Sequence, residues 1–248
     1  MTSKLLIAAV ASTTVLFACG RIKHVSELEG TAYFAVLDNS TSRPPSVLQE
    51  YRAALNRLSG GLEANDCVML AAIPANPRRM QFSDAECLSP PSSGDWVVQM
   101  FRDTVRTHIE QTLDEVLKSA ERTEVTPLLE MFYSLERAIR AYEGMECEAW
   151  VFTDGLHDYG NVKLPRDLDT TDVADIVSEL TAGVEVPDLQ GCRMRIVATG
   201  GGDADRLTPQ QEQKLARIWV LLIQAMNGRM DTQDYGPLIY ARERPFAR

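Results

Sequence analysis

The sequence predicts a doubly wound α/β domain: a mostly parallel sheet with helices on both faces and one antiparallel edge strand. Three observations carry this. Four short apolar runs end in turn-forming residues, and amphipathic helical segments separate them. Parallel neighbours need crossover connections, which helices supply, and strands covered on both faces read as near-continuous apolar runs. The chain has 248 residues, 45% hydrophobic and 24% charged, enough for one domain with a good-sized core.

The elements follow in order. Residues 33–37 (Tyr-Phe-Ala-Val-Leu) are a buried strand ending in a turn-rich stretch. Residues 46–58 place Val47, Leu48, Tyr51, Ala54, Leu55 and Leu58 at helical spacing. Ser46 and Gln49 form a capping box there, and Gly60-Gly61 stops the helix. Residues 67–73 are the second strand, a Pro-rich turn follows at 74–77, and 79–82 returns as the antiparallel edge strand. After a Ser/Pro-rich loop, a long helix carries Phe101, Val105, Ile109, Leu113, Val116, Leu117 and Ala120 on one face. Pro127 suits the first turn of the next helix, with Leu128, Met131, Phe132, Leu135 and Ile139 inward. Residues 149–153 are the third core strand, 171–180 a helix and 193–198 the fourth core strand. Thr208, Pro209 and Gln211 cap a last helix with the stripe Leu215, Ile218, Trp219, Leu222 and Met226, closed by Gly228. Residues 229–248 form a tail without an assigned element.

The N-terminus has a different character. Lys4 precedes an apolar run through Ala18, of signal-peptide length and too short to span a bilayer comfortably. The run ends in Leu16-Phe17-Ala18-Cys19, which resembles a bacterial lipobox, although Phe17 is bulkier than that pattern usually has. The resemblance implies a signal peptide over 1–18, lipid on Cys19, a tether over 19–30 and a domain over 31–228. Gly20 behind the cysteine implies an outer-membrane lipoprotein facing the periplasm. The net charge of -10, without a Lys/Arg run, argues against nucleic acid or anionic lipid as a partner.

In doubly wound sheets ligands bind outside the carboxyl ends of the strands, where strand order reverses. The loop after the first strand reads Asp38-Asn39-Ser40-Thr41-Ser42, a D-x-S-x-S pattern. Alone it is an ordinary Asx/Ser turn. Thr126 stands at a helix start, and Thr153-Asp154-Gly155 follows the third core strand. Alone these are an N-cap and a turn. Together, in this chain order and at these element ends, they resemble the metal-ion-dependent adhesion site (MIDAS) of von Willebrand factor A-type (vWA) domains. The resemblance covers about residues 31–228. It implies that the first and third core strands lie side by side at the switch point, so that Asp38 and Asp154 meet across one crevice. Ser40, Ser42 and Thr126 would then ligate a divalent cation directly, with Asp38 and Asp154 acting mainly through water and hydrogen bonds to the hydroxyls. Thr123 is the alternative hydroxyl.

An all-oxygen set favours a hard cation, Mg²⁺ first, with Mn²⁺ or Ca²⁺ as alternatives. Neutral direct ligands leave the ion electrophilic, ready for a Glu or Asp carboxylate of a partner protein. The expected function is therefore non-enzymatic binding in the cell envelope. The alternatives are a metal-dependent hydrolase with His157 or Asp158 as base, and an assembly scaffold with a structural ion. Gly200-Gly201-Gly202 lacks both the G-x-G-x-x-G spacing and a P-loop Lys, and no H-E-x-x-H or G-x-S-x-G occurs.

Besides Cys19 there are four cysteines, Cys67, Cys87, Cys147 and Cys192, which allow three pairings. Their spacing makes no zinc site. The fold implied above brings Cys147 beside Cys192 at the starts of neighbouring strands, and Cys67 to Cys87 across the edge hairpin.

Overall fold

The computed structural model describes residues 30–39, 45–88, 95–119, 128–156, 158–159, 162–183, 185–198 and 207–236. The signal-like segment, Cys19 and the tether lie outside these, as do Gly200-Gly201-Gly202 and residues 237–248.

In chain order the elements are β1 (Thr31–Leu37), α1 (Pro45–Gly60), β2 (Cys67–Ala72), β3 (Glu86–Cys87), α2 (Asp95–Ser119) and α3 (Leu128–Ala141). There follow β4 (Glu146–Thr153), β5 (Asp158–Tyr159), β6 (Val162–Lys163), α4 (Leu164–Thr170), α5 (Val173–Thr181), β7 (Arg193–Ala198), α6 (Pro209–Ala225) and β8 (Tyr235–Gly236). Six strands make one sheet in the order β3-β2-β1-β4-β7-β8, and β5 pairs with β6 in a separate hairpin. All pairings in the large sheet are parallel except β2 with β3. The fold class is doubly wound α/β, vWA/Rossmann-like, with one antiparallel edge strand.

Every residue of β1 and β2 is buried, because helices cover both faces. The pleat divides β1 cleanly. Tyr33, Ala35 and Leu37 meet Val47, Tyr51, Leu55 and Leu58 of α1 and Val105, Ile109 and Leu113 of α2. Ala32, Phe34 and Val36 face the other way, in the cluster that α3, α4, α5 and α6 complete. The helix–strand alternation in the sequence thus builds two apolar layers on one sheet. No helix among the described residues is long and apolar enough to cross a membrane.

Two local expectations are corrected. The edge strand is Glu86–Cys87, in register Cys67↔Cys87, and not residues 79–82. Pro77 opens a 3₁₀ turn over Pro77–Arg79 whose carbonyl accepts from Ser134 Oγ of α3 at 2.9 Å. Met80 is buried, and Phe82 packs edge-on against Phe34 at 5.4 Å between ring centres, so this stretch folds onto the α3 face. Helix α1 begins at Pro45, which places Ser46 within its first turn and not at the capping position. The α6 start matches its expectation: Gln211 N–H donates to Thr208 Oγ1, and Thr208 N–H to Gln211 Oε1.

Three features had no sequence expectation: the β5–β6 hairpin, helix α4 and strand β8. β8 pairs parallel to β7 through Ile196↔Tyr235, so the sheet continues past the expected domain boundary at 228. Both implied disulfides are present, Cys67–Cys87 and Cys147–Cys192. Cys67 and Cys87 are direct cross-strand partners, while Cys147 and Cys192 precede the first β4–β7 pair, Glu148↔Arg193.

Candidate metal centre

From β1 the chain crosses to β2 on one side, and from β4 it crosses to β7 on the other. The switch point therefore lies between β1 and β4, whose register ends at Leu37↔Phe152. Asp38 and Asp154 are the first residues beyond that end that carry carboxylates. The structure brings these two predicted residues to adjacent strand ends.

Asp38 is held from several directions. Its N–H donates to Phe152 O at 2.9 Å, extending the β1–β4 ladder by one bond. The Tyr51 hydroxyl of α1 sits 3.2 Å from Asp38 O and 3.1 Å from Phe152 O, donating between the two carbonyls. Thr153 Oγ1 donates to Asp38 Oδ2 at 3.0 Å and in turn accepts from Gly155 N–H at 3.2 Å. Asp38 is 2% exposed and Thr153 is fully buried, so this carboxylate is fixed in a low-dielectric wall.

Asp154 sits in a turn built differently. Its Oδ1 accepts from Leu156 N–H at 2.9 Å, the bond of an Asx turn. Its carbonyl accepts from the Tyr235 hydroxyl of β8 at 3.2 Å, and the next carbonyl, of Gly155, accepts from Trp219 Nε1 of α6 at 2.9 Å. Gly155 has φ +76°, and a Cβ there would lie 2.9 Å from the Tyr235 hydroxyl. Only glycine combines that backbone with so close an approach. Gly155→Ala is expected to cost about 1–3 kcal/mol through strain and crowding. It should also displace Asp154, so chemical denaturation and Mn²⁺ titration should both report the change.

Ser40, Ser42 and Thr126 lie outside the described residues, as do Thr123 and His157, and the Asp158 side chain is likewise not described. Helix α3 starts close behind Thr126 and leads through a tight turn into β4. It therefore runs antiparallel to β4 and begins at the carboxyl end of the sheet, where Asp38 and Asp154 are. Among the described residues no three His, Cys, Asp or Glu side chains cluster as metal ligands. The donor set argued from sequence is mostly hydroxyl. The two carboxylates supply hard oxygen donors of the kind a divalent cation takes.

Sequence reasoning missed Thr153, Tyr51, Trp219 and Tyr235 as the groups that hold these loops. A hydroxyl residue closing an apolar strand directly before an acid was the available signal for Thr153. Tyr51 and Trp219 were hidden in apolar helical stripes, and Tyr235 lay in the unassigned tail. Thr153→Val, nearly isosteric, removes the donor to Asp38 and is expected to destabilise the fold by about 1–3 kcal/mol. A urea-unfolding difference below experimental error would sink that role.

No protein-family model and no curated protein matches the sequence. Solved structures similar to the chain include an aerotolerance-related membrane protein from Bacteroides fragilis, 15% identical, with 82% of this chain and 92% of that one covered and a TM-score of 0.41. The ArnB paralog VWA2 from Sulfolobus acidocaldarius is 13% identical over 68% of this chain and 35% of that one, with a TM-score of 0.39. Manganese-loaded TRAP from Plasmodium vivax is 14% identical over 82% of this chain and 75% of that one, with a TM-score of 0.38. The site itself rests on the chain's own residues.

Proposed function

We propose that the chain is a cell-envelope lipoprotein whose vWA-like domain binds a protein partner through a divalent cation, without turnover. Asp38, Ser40, Ser42, Thr126 and Asp154 are the residues that would hold the ion. The observation that carries the reading is the pair Asp38 and Asp154 at adjacent strand ends of the switch point, each held by hydrogen bonds. When bound, the ion supplies an electrophilic position for an acidic side chain of the partner; Mg²⁺ is first in order, before Mn²⁺ and Ca²⁺. Asp38 and Thr153 keep one wall of the crevice rigid, while Trp219 and Tyr235 hold the opposite turn. Such fixed positions limit the reorganisation that binding requires. Cys19 is proposed as the lipidated mature N-terminus, with the domain on the periplasmic side of the outer membrane.

The test is affinity capture from envelope extracts with wild type and Asp38→Ala, each with Mg²⁺ and with EDTA. A partner retained by wild type in Mg²⁺, and lost both with EDTA and in Asp38→Ala while circular dichroism is unchanged, is the expected result. Capture that ignores the ion would overturn the reading. Metal-dependent turnover lost in His157→Ala would replace it with a hydrolase.

A further inference from the structure

The first two turns of α2 carry two of the large hydrophobic side chains the described fold leaves exposed, Trp96 at 70% and Met100 at 51%. Gln99, Asp103, Thr104 and Thr107 surround them on one face of the helix. Their polar groups are largely spent locally. Thr104 Oγ1 donates back to Met100 O at 3.0 Å and Thr107 Oγ1 to Asp103 O at 2.9 Å. Both hydroxyls are thus engaged by the helix's own carbonyls. Asp103 is paired with Arg106 at 3.1 Å and accepts from Gln99 Nε2 at 3.3 Å. The result is a small apolar patch with no net charge at its centre, led by a tryptophan.

Its place in the fold is specific. Helix α2 runs along the sheet towards the candidate metal centre: Leu117 O, near its far end, lies 3.5 Å from Asn39 Nδ2 beside Asp38. At 1.5 Å per residue, Trp96 is about 30 Å down the helix from that end. The opposite pole is where the domain begins. Gly30 stands against Asn65, whose carbonyl would be 2.5 Å from a Cβ at Gly30. Asn65 N–H donates to Leu88 O at 2.7 Å, and Arg102 Nε of α2 donates to Leu62 O at 2.9 Å. The patch and the point where the N-terminal segment enters the domain therefore share one end of the molecule. The stretch from Cys19 to Gly30 reaches at most about 40 Å.

We propose that the Trp96–Met100 face is a membrane-contact surface that rests in the headgroup region of a zwitterionic bilayer. The contact leaves the Asp38–Asp154 end pointing away from the membrane. This rests on the reading of Cys19 as the lipid-bearing residue. Tryptophan favours the bilayer interface, where its ring is buried and its N–H stays wet. A contact at the tethered pole adds to the lipid anchor and fixes which way the domain faces on the surface. The chain's net charge of -10 sets the lipid class, since an anionic surface would repel the domain.

The chain is self-reporting. Of its three tryptophans, Trp150 is 8% exposed and Trp219 1%, so membrane-dependent changes in emission come from Trp96. Mass spectrometry of the chain recovered from cells first shows whether Cys19 carries lipid. If it does not, Cys19, the one cysteine outside the two disulfides, is coupled to a lipid maleimide, which supplies the anchor independently. The anchored chain is then placed on phosphatidylcholine vesicles with brominated acyl chains. The expected result is quenching and a blue shift of the exposed-tryptophan emission in wild type, both absent in Trp96→Phe. An anchored chain whose emission is unquenched overturns the proposal whatever the state of Cys19 in cells. A concentration-dependent blue shift before vesicles are added also overturns it, because a second copy of the chain then covers the patch.

Discussion

Asp38→Asn is expected to leave the metal-free chain about as stable as wild type, while weakening Mn²⁺ or Mg²⁺ binding about 10- to 100-fold. Asparagine keeps an oxygen to accept from Thr153 Oγ1, and the two bonds at the Asp38 backbone do not depend on the side chain. What it removes is the charge of a carboxylate that is 2% exposed. Without metal the substitution keeps both the side-chain volume and the buried hydrogen bond from Thr153, so stability changes little. With metal the two chains separate. An ion at one hundred times its wild-type dissociation constant stabilises the folded state by about 2.7 kcal/mol. The same concentration should stabilise Asp38→Asn by only about 0.4–1.4 kcal/mol. Thermal unfolding with and without the ion measures both halves. Equal destabilisation of the variant in both conditions, with no metal-dependent shift in wild type, would make Asp38 a structural hydrogen-bond acceptor and nothing more.

The largest effect on stability alone is expected from the Cys147–Cys192 bond. It closes a sequence separation of 45 residues that contains β4, the Asp154 turn, the β5–β6 hairpin, α4 and α5. Restricting the unfolded chain over that span is worth about 4 kcal/mol, against about 3 kcal/mol for Cys67–Cys87 with its separation of 20. Replacing both Cys147 and Cys192 by Ala should therefore lower the urea midpoint more than replacing Cys67 and Cys87. Metal affinity should hardly move, because both disulfides sit at the strand starts, at the other end of the sheet from Asp38 and Asp154. A loss below about 1 kcal/mol would contradict the loop-closure argument. Non-reducing peptide mapping that joined Cys67 to Cys147 would contradict the pairing itself.

The parts of the fold that were legible in advance are those with a local physical signature. A strand buried on both faces must be apolar throughout, so β1, β2 and the inner half of β4 announce themselves. Helix α6 announces its start through Thr208, Pro209 and Gln211, because a capping box is satisfied within four residues. The edge strand has no such signature. Two residues are too few to show alternation, and Met80 and Phe82 obey the packing of α3 and Phe34, which no local pattern displays. β8 is equally short and leaves no local mark of its pairing.

The candidate site divides in the same way. The sequence by itself determined that Asp38 and Asp154 each follow an apolar strand, and that hydroxyl residues stand near them. It also determined which four cysteines were available for pairing. Only the tertiary structure decided that those two strands are neighbours, and that Thr153, Tyr51, Trp219 and Tyr235 hold the loops between which an ion would sit. The reason is distance along the chain. Thr153 and Asp38 are 115 residues apart, Tyr235 and Asp154 81, and Trp219 and Gly155 64. A hydrogen bond over such a separation imposes no periodicity and no spacing on the sequence; it exists only once the sheet has brought its partners together.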